Sequence, residues 1–476
     1  MNRRQLLSGF AAGAAMSAAP AFAGQAPQYS LGVTNAPAGG FSNADMRLVH
    51  GRAPAGLEGA LYRNGPGWFR YDGSHIGHWF DGDGFIQRFA IEGARARHSG
   101  RFADTNKRRI EQARQEIVMP GFGTRGAPDA PADSRDALNA ANTSVIMAGD
   151  ELWALWEGGS PVRLDPETLA THGIRPFRPD LADMPFLAHP KVEPNGRIWN
   201  LGLQGSSAIV WRLSADGTLE DAQVIDVGSR SYVHDWAVTE RHLVIPLQPW
   251  LHERMTAPLV EGYVWREDQP FRVLVLDKND YSRRRVYELP AMFFFHTGDA
   301  WEDADGSVHF DLCVTPDAEF VTRQARSMIT GDDMPSPAAE LVLATLHADG
   351  RAELTRSSAR GEFPQTDRRR QGQRRDLVAL IDDTDGRRLR LQNWRTGESV
   401  AYDFGGRQMV QEFLFAPKPG RGAETDSWLV GVTLNERERA MELHVFDVAG
   451  VADGPVATWR SPHAAPYGFH GTWASA

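Results

Sequence analysis

Short apolar runs separated by polar turns recur along this chain from about residue 145 to residue 460. Glu151 to Trp156 and Leu341 to Leu346 are two such runs, and turns rich in Gly, Asp or Asn separate them from their neighbours. Turns such as Ala348-Asp349-Gly350 are typical of β-hairpins. Because the runs are too short and too many for one sandwich, the pattern predicts an all-β propeller of several four-stranded blades.

Helical signal is confined to two segments outside the N-terminus. The 47 glycines and 29 prolines are spread over the whole chain, which favours many tight turns over a helical bundle. Lys107 to Ile117 is expected to form a helix. Leu251 to Val264 is expected to be a partly helical excursion, either a packed loop on the propeller face or a lip over a binding tunnel that also contacts a membrane surface.

The first 23 residues have the pattern of a secretion signal. Asn2-Arg3-Arg4-Gln5-Leu6-Leu7 forms a twin-arginine start, an Ala-rich apolar run follows, and Ala21-Phe22-Ala23 ends in a small-residue cleavage site. The alternative, an amphipathic N-terminal helix, is disfavoured because the run has almost no polar face. We expect a twin-arginine signal peptide over residues 1–23, export to the periplasm, and a single β-propeller domain over residues 24–476.

The net charge and the cysteine content limit which macromolecules and metal ions this protein could bind. The formal charge of −10 becomes −12 when the signal is removed, because that segment contains two arginines and no acid. An acidic protein is a poor candidate for nucleic-acid binding, so Arg368-Arg369-Arg370, with Arg374 and Arg375, is expected to be a solvated loop. The single cysteine, Cys313, excludes an intrachain disulfide and thiolate metal clusters. Any metal would therefore use His, Asp or Glu.

The chain contains fifteen histidines, so candidate metal ligands have to be chosen by the residues that surround each one. Four stand beside strand-like apolar runs in unusual settings: Ala188-His189-Pro190-Lys191, Val233-His234-Asp235-Trp236, Phe293-Phe294-Phe295-His296 and Gly468-Phe469-His470-Gly471. Their wide spacing is natural in a propeller, where the inner strands of successive blades point residues at one axis. A single histidine of this kind is more often a surface or core residue than a ligand, so both interpretations stay open here.

These four settings resemble the ligand motifs of the carotenoid cleavage oxygenase family, and the resemblance runs from about residue 55 to residue 475. Further matching segments occur in the family's order: Leu61-Tyr62-Arg63-Asn64-Gly65-Pro66, His78-Trp79-Phe80-Asp81-Gly82-Asp83-Gly84, Ala141-Asn142-Thr143, Leu155-Trp156-Glu157-Gly158-Gly159 and Leu164-Asp165-Pro166-Glu167-Thr168-Leu169. The ordered occurrence of these motifs identifies the chain as a member of the family.

The resemblance implies a seven-bladed β-propeller with loops and short helices capping the active-site face. It also implies one Fe2+ per chain, bound by His189, His234, His296 and His470. Histidines alone would equally accept zinc or copper. The family uses glutamates to accept the second ring N–H of its ligands, and Glu362 and Glu412 lie in matching segments, although either could be an ordinary surface carboxylate. A third glutamate of some relatives falls at Asn142, where an amide can still accept.

The implied activity is that of a non-heme iron(II) dioxygenase that cleaves a conjugated C=C bond of a carotenoid or apocarotenoid with O2, giving two aldehydes. The iron centre itself would be catalytic, with no separate acid or base. The protein would hold an apolar polyene in a tunnel, which sets the bond that is cut. We expect Phe293, Phe294, Phe295 and Phe469 to line this tunnel, and the partners to be an apolar small molecule, O2 and a peripheral membrane surface.

Three alternatives remain. Stilbene-cleaving relatives use a Lys and a Tyr on a phenol, whereas residues 137–141 contain no lysine and residues 101–104 no tyrosine. This favours a carotenoid, although export would suit lignin-derived stilbenes. A non-oxidative isomerase or ester-cleaving relative would use the same histidines, and a catalytically silent propeller would bind apolar ligands without iron.

Other motifs are weaker. His75 and His78 form His-x-x-His but match a non-ligand part of the family pattern, so a structural role is expected. Asp81 and Asp83 lack the spacing of an EF-hand, and the Gly-rich residues 122–126 lack the Lys-Ser/Thr of a phosphate loop.

Overall fold

Strands dominate the computed structural model, which describes residues 31–330, 338–382 and 386–476. The expected signal peptide, residues 1–23, lies outside the described residues. Hairpin connections follow from the turn residues: Gly350, at φ +94°, adopts a conformation that residues with a Cβ rarely take, and it joins Glu340–Leu346 to Ala352–Arg360. The prediction of an all-β, propeller-like chain is confirmed.

Five four-stranded antiparallel sheets follow one another along the chain. The first contains Ser144–Ala148, Glu151–Leu155, Val162–Leu164 and Thr171–Ile174. The second contains Lys191–Val192, Ile198–Gln204, Ser207–Leu213 and Leu219–Asp226. The third contains Ala237–Val238, His242–Leu247, Phe271–Asp277 and Asp280–Leu289. The fourth contains Phe293–Glu302, Val308–Thr315, Glu340–Leu346 and Ala352–Arg360, and the fifth Glu362–Gln365, Leu377–Asp382, Arg388–Asn393 and Ser399–Asp403.

A ten-stranded sheet joins the two ends of the described chain. Its strands, in spatial order, are Gln408–Pro417, Ser427–Asn435, Ala440–Asp447, Ala457–Arg460, Phe41–Gly51, Arg95–Phe102, Asp83–Glu92, Gly59–Arg63 and Gly471–Ser475, with Pro66–Trp68 paired to Asp83–Glu92. Within the described ranges, separate four-stranded sheets therefore number five, whereas seven blades were expected. The reason is Phe41–Gly51, which pairs with Ala457–Arg460 on one edge and with Arg95–Phe102 on the other.

Helices and minor strands occupy the connections. Two small hairpins pair Trp250–His252 with Tyr263–Trp265 and Arg70–Tyr71 with Ser74–His75. The helical segments are Asn106–Arg114, Phe320–Gln324, Ala325–Thr330 and the short 3-10 turns Trp79–Asp81, Asp136–Leu138, Pro179–Leu181, Leu259–Gly262, Arg368–Arg370 and Val448–Asp453. Within the described ranges, none of these helices has the length and apolarity needed to cross a membrane.

The sequence predicted helical structure in two connecting segments, and the structure confirms one of these predictions more fully than the other. The helix expected near Lys107 is confirmed as Asn106–Arg114, with the Thr105 side chain capping its first turn. The segment from Leu251 to Val264 is mostly not helical, because it is a hairpin that encloses the single 3-10 turn Leu259–Gly262.

The arginine-rich segment is only partly the solvated loop that we expected, because Arg368 and Arg374 are exposed but Arg375 is not. Arg375 is buried and pairs with the buried Asp311. Arg368 donates to the Thr472 hydroxyl at 2.6 Å and to the Gly471 carbonyl at 3.0 Å. These arginines satisfy buried acceptors and hold the C-terminal strand, which the charge pattern alone did not reveal.

The hydrophobic core lies between neighbouring sheets. Val244 of the third sheet and Phe294 and Phe310 of the fourth are fully buried in one shared cluster. Inner strands with both faces covered explain why the apolar runs are nearly continuous. This packing fixes the inner strands around a common axis, where the residues of the site meet.

Candidate metal centre

Four histidines from distant parts of the chain converge at the inner ends of the sheets. The candidate ligand atoms of His189, His234, His296 and His470 all lie within 4.8 Å of one another. The separations of neighbouring Nε2 atoms are 3.0 Å for His189 and His234, 3.2 Å for His234 and His296, and 3.0 Å for His296 and His470.

Three carboxylates fix the orientation of three of these rings. His296 donates from Nδ1 to Glu362 at 2.5 Å, and His470 donates to Glu412 at 2.9 Å. His234 donates to Glu157. A proton held on Nδ1 leaves the lone pair on Nε2, so three Nε2 lone pairs face the centre of the cluster.

Burial disfavours the charged form of three of the four imidazoles. Burial lowers the pKa of His296 to about 3 and that of His470 to about 4, and it places the pKa of His189 well below its usual range. Among the carboxylates, burial raises the pKa of Glu362 to about 8. For Glu412, burial opposes ionisation, but the hydrogen bond from His470 and the charge of Arg63 lower the pKa.

This donor set fits a divalent metal ion. Lone pairs about 3 Å apart repel one another unless a proton or a cation lies between them, and three of the four ring protons are held on the outer nitrogens. With metal–nitrogen bonds of about 2.1 Å, ligands at right angles would be separated by about 3.0 Å. The neighbouring Nε2 separations agree with that spacing.

The third outer carboxylate is Glu157 and not a group at Asn142. The Asn142 amide donates to the carbonyls of Phe80 and Gly82, and its oxygen accepts from the Thr143 hydroxyl. Asn142 therefore holds a loop and does not contact a histidine of the cluster. Sequence reasoning missed the role of Glu157, although a Glu two residues after the end of the strand Glu151–Leu155, in a matched motif, was an available signal.

An apolar cavity of about 910 Å³ leads to the histidines. Phe293, Phe295 and Phe469 line it, as expected. Phe294 does not, because alternate residues of a strand face opposite sides, and its ring packs in the core against Phe271. Other apolar groups of the lining are Trp79, Phe80, Phe122, Leu138, Trp156, Leu187, Leu203, Met255, Phe320 and Phe363.

A second, smaller cavity touches the histidines, and we call it the axial cavity. It has a volume of about 80 Å³, and its polar lining includes Lys191, Asp235, Thr297, Gln365 and Arg368. At His234, His296 and His470, the residue before the histidine lines the apolar cavity and the residue after it lines the axial cavity. Phe295 and Thr297 are one such pair, and Phe469 and Gly471 are another. His296 and His470 line both cavities, whereas His234 lines only the apolar cavity and His189 only the axial cavity.

The remaining sequence candidates have structural contacts. His78 is buried, and its Nε2 lies 2.8 Å from the Val321 carbonyl. Asp81 accepts from the backbone N–H groups of Phe122 and Gly123. Asp83 pairs with Lys107 and Arg108, a further contact to protein and not to an ion.

Comparisons with known proteins agree with this geometry. The family profile described as retinal pigment epithelial membrane protein (RPE65) matches residues 38–475. The chain is 27% identical to apocarotenoid-15,15'-oxygenase of Synechocystis over 90% of this chain and 92% of that protein. It is 26% identical to resveratrol cleavage oxygenase 1 of Aspergillus fumigatus over 89% of this chain and 91% of that protein.

Solved structures share the fold. A structure of Synechocystis apocarotenoid oxygenase in cobalt-substituted form superimposes with a TM-score of 0.82 at 23% identity, covering 94% of this chain and 98% of that chain. The match to the family profile spans almost the whole described chain. The chain therefore belongs to the retinal pigment epithelial membrane protein family, that of the carotenoid cleavage oxygenases.

Proposed function

We propose that this protein is a non-heme iron(II) dioxygenase that cleaves a conjugated C=C bond of a carotenoid or apocarotenoid with O2 to give two aldehydes. The observation that carries the proposal is the convergence of four histidine side chains, three of which line a large apolar cavity. The curated relatives named above are oxygenases, which supports an enzyme of this class.

His189, His234, His296 and His470 would hold the metal. Iron is our choice among the ions that imidazoles accept, and the cobalt-substituted relative supports a protein that binds a metal ion. Bound ferrous iron would supply the capacity to activate dioxygen, which organic side chains lack. Glu157, Glu362 and Glu412 would orient the ligands, and in their ionised forms they would offset the charge of the ion. For Glu362 the bound cation would favour the ionised form, against the burial that raises its pKa to about 8.

The cavity would position the substrate. Phe295 stacks on His234 with ring centroids 4.0 Å apart, and Phe363 stacks on His296 at 5.2 Å. A flat conjugated chain could lie against these rings, which would bring one bond next to the metal and exclude water from it. Restricting the chain to one register in this way would set which bond is cut.

A hydroxystilbene is the second candidate substrate, and one observation favours it. The hydroxyl of Tyr232 lies 3.2 Å from Glu157, and both residues line the apolar cavity together with Tyr263. These groups could receive a phenol. The carotenoid remains our choice because no lysine lines this cavity among the described residues and most of its wall is apolar.

We also propose that the propeller has seven blades. The strand order supports this count, since the ten-stranded sheet contains two sets of four strands on either side of Phe41–Gly51. Together with the five separate sheets, these two sets make seven.

Export by a twin-arginine signal over residues 1–23 and peripheral membrane contact complete the proposal. Met255 is 91% exposed and Leu259 is 40% exposed, and both line the apolar cavity. An apolar substrate could pass from a membrane to the cavity at this place.

One experiment tests the activity. Protein reconstituted anaerobically with Fe2+ would be exposed to 18O2 with a panel of apocarotenoids and hydroxystilbenes, and the products analysed by mass spectrometry. We expect labelled aldehydes from an apocarotenoid, and none from the His234→Ala variant. Products without label would favour a non-oxidative relative, and iron binding without any product would contradict the proposed activity on these substrate classes.

A further inference from the structure

His189 differs from the other three histidines in its outer contact. The carboxylate near its Nδ1 belongs to Asp235, and the two atoms are 3.9 Å apart. This distance is too long for a hydrogen bond. His234, His296 and His470, in contrast, each have a carboxylate in hydrogen-bond contact with Nδ1.

Asp235 has no capacity left for His189. Its Oδ1 accepts from Lys191 Nζ and from the Trp236 backbone N–H, both at 2.7 Å. Its Oδ2 accepts from the Thr297 backbone N–H at 2.8 Å and from the Thr297 hydroxyl at 2.9 Å. A carboxylate offers about four lone-pair sites, and N–H groups occupy three of them here. The Thr297 hydroxyl lies at the fourth site and shares its one proton between Asp235 and the Trp236 carbonyl.

The ring of His189 faces the axial cavity, and its side chain is 12% exposed, against 5% for His234 and His296 and 8% for His470. A polar cavity of about 80 Å³ is large enough for water, which requires about 10–15 Å³. Lys191 lines the same cavity. Its ammonium group has three donors, of which Asp235 accepts one among the described residues.

We propose that solvent in the axial cavity is the outer hydrogen-bond partner of His189, and that Lys191 orients this solvent. This inference rests on the proposed metal centre, and it makes the outer hydrogen-bond partner of one ligand different from those of the other three. Three ligands would be held by carboxylates, whereas the fourth would be held by a neutral, exchangeable partner. Because an outer carboxylate raises the basicity of a ligand imidazole, His189 would be the most weakly held of the four. Lys191 is thus a positioning residue, and it acts on the metal only through solvent and His189.

The test uses cobalt-loaded full-length protein and proton NMR in H2O and D2O. Cobalt shifts the ring N–H signals of its histidine ligands away from the rest of the spectrum. We expect three slowly exchanging N–H signals and one that exchanges at least about tenfold faster, since a buried N–H bonded to protein exchanges only when the structure opens. Four signals with equal exchange rates would overturn the inference.

Two matched variants test whether the ring N–H of His189 exchanges with solvent through the axial cavity. Val192 lines the axial cavity and Leu203 lines the apolar cavity, and both are half-buried residues of the second sheet. Val192→Trp should slow the fast signal, whereas Leu203→Trp, or a hydroxystilbene bound in the apolar cavity, should leave it unchanged. An equal effect of both substitutions would contradict a route through the axial cavity.

Failure of the metal centre is distinguishable from failure of this inference. Less than one bound cobalt per chain in the wild-type protein would overturn the proposed metal centre. One cobalt per chain with four protected N–H signals would overturn only the role of solvent at His189. If Val192→Trp does not fold, the exchange measurement on the wild-type protein still decides the main point.

Discussion

His470 donates its Nδ1–H to Glu412 at 2.9 Å. The other oxygen of the same carboxylate accepts from the Gly471 backbone N–H at 2.8 Å and pairs with Arg63 at 2.5 Å. Gly471 and Arg63 are also register partners between the strands Gly471–Ser475 and Gly59–Arg63. One buried carboxylate thus orients a candidate metal ligand and joins the two ends of the described chain.

Replacing Glu412 by Gln should weaken metal binding by about 10–100-fold, because the outer partner of His470 loses its charge. It should also lower the free energy of unfolding by about 3–5 kcal/mol, because the buried Arg63 loses its counterion. Chelator competition and urea denaturation measure the two effects. Glu353→Gln is the control, since that carboxylate is 62% exposed. An Arg63→Met, Glu412→Gln double variant should lose less stability than the sum of the single variants, and strict additivity would argue against coupling.

Deleting residues 466–476 should remove both metal binding and the strand Gly471–Ser475, which pairs with Gly59–Arg63. His470→Ala should remove the metal but retain the strand. We therefore expect loss of metal in both variants, with a clear drop in melting temperature beyond that of His470→Ala only in the truncated one. Stoichiometric metal in the truncated protein would show that His470 is not a ligand.

Phe294 and Phe295 should respond differently to substitution by alanine. Phe294 is fully buried in the core, so its loss should lower the free energy of unfolding by about 3–5 kcal/mol. Phe295 lines the apolar cavity and stacks on His234, so its loss should affect kcat/KM more and stability less. Denaturation curves and steady-state kinetics decide the matter, and the opposite ranking would contradict the assigned faces.

His444 should contribute to a loss of stability in acid. Burial lowers its pKa to about 3, and both ring nitrogens contact threonine hydroxyls. The unfolded chain binds a proton near pH 6.5, whereas the native protein does not until about pH 3. Stability from this group is therefore fully present above about pH 6.5 and decreases as the pH falls toward 3, by up to about 1.4 kcal/mol per pH unit.

Urea denaturation of the wild-type protein and of His444→Gln between about pH 7 and pH 5 measures this contribution, and the variant should show a shallower pH dependence. Thr433 and Thr458 still offer hydroxyl partners to the glutamine amide in that variant. Equal slopes for the two proteins would mean that His444 does not remain neutral in the native state.

Short sequence patterns were enough to predict the class of fold and the four histidines of the candidate metal centre. Apolar runs with hairpin turns predicted the sheets, and matched motifs selected His189, His234, His296 and His470 from fifteen histidines. The same motifs selected Glu362 and Glu412, which contact two of these rings. Such features lie within a few residues of sequence, so they can be read without knowing the tertiary structure.

Contacts between distant strands were decided by the tertiary structure alone. Glu157 meets His234 across 77 residues, Asn142 turns toward the loop at Phe80, and Phe294 faces the core while its neighbours face the cavity. The pairing of Phe41–Gly51 with two sets of strands likewise depends on how the sheets close. Register between strands fixes which face each side chain takes, and a shift of one residue would reverse it. The sequence therefore determined which residues could form the site, and the packing of the sheets determined how those residues meet.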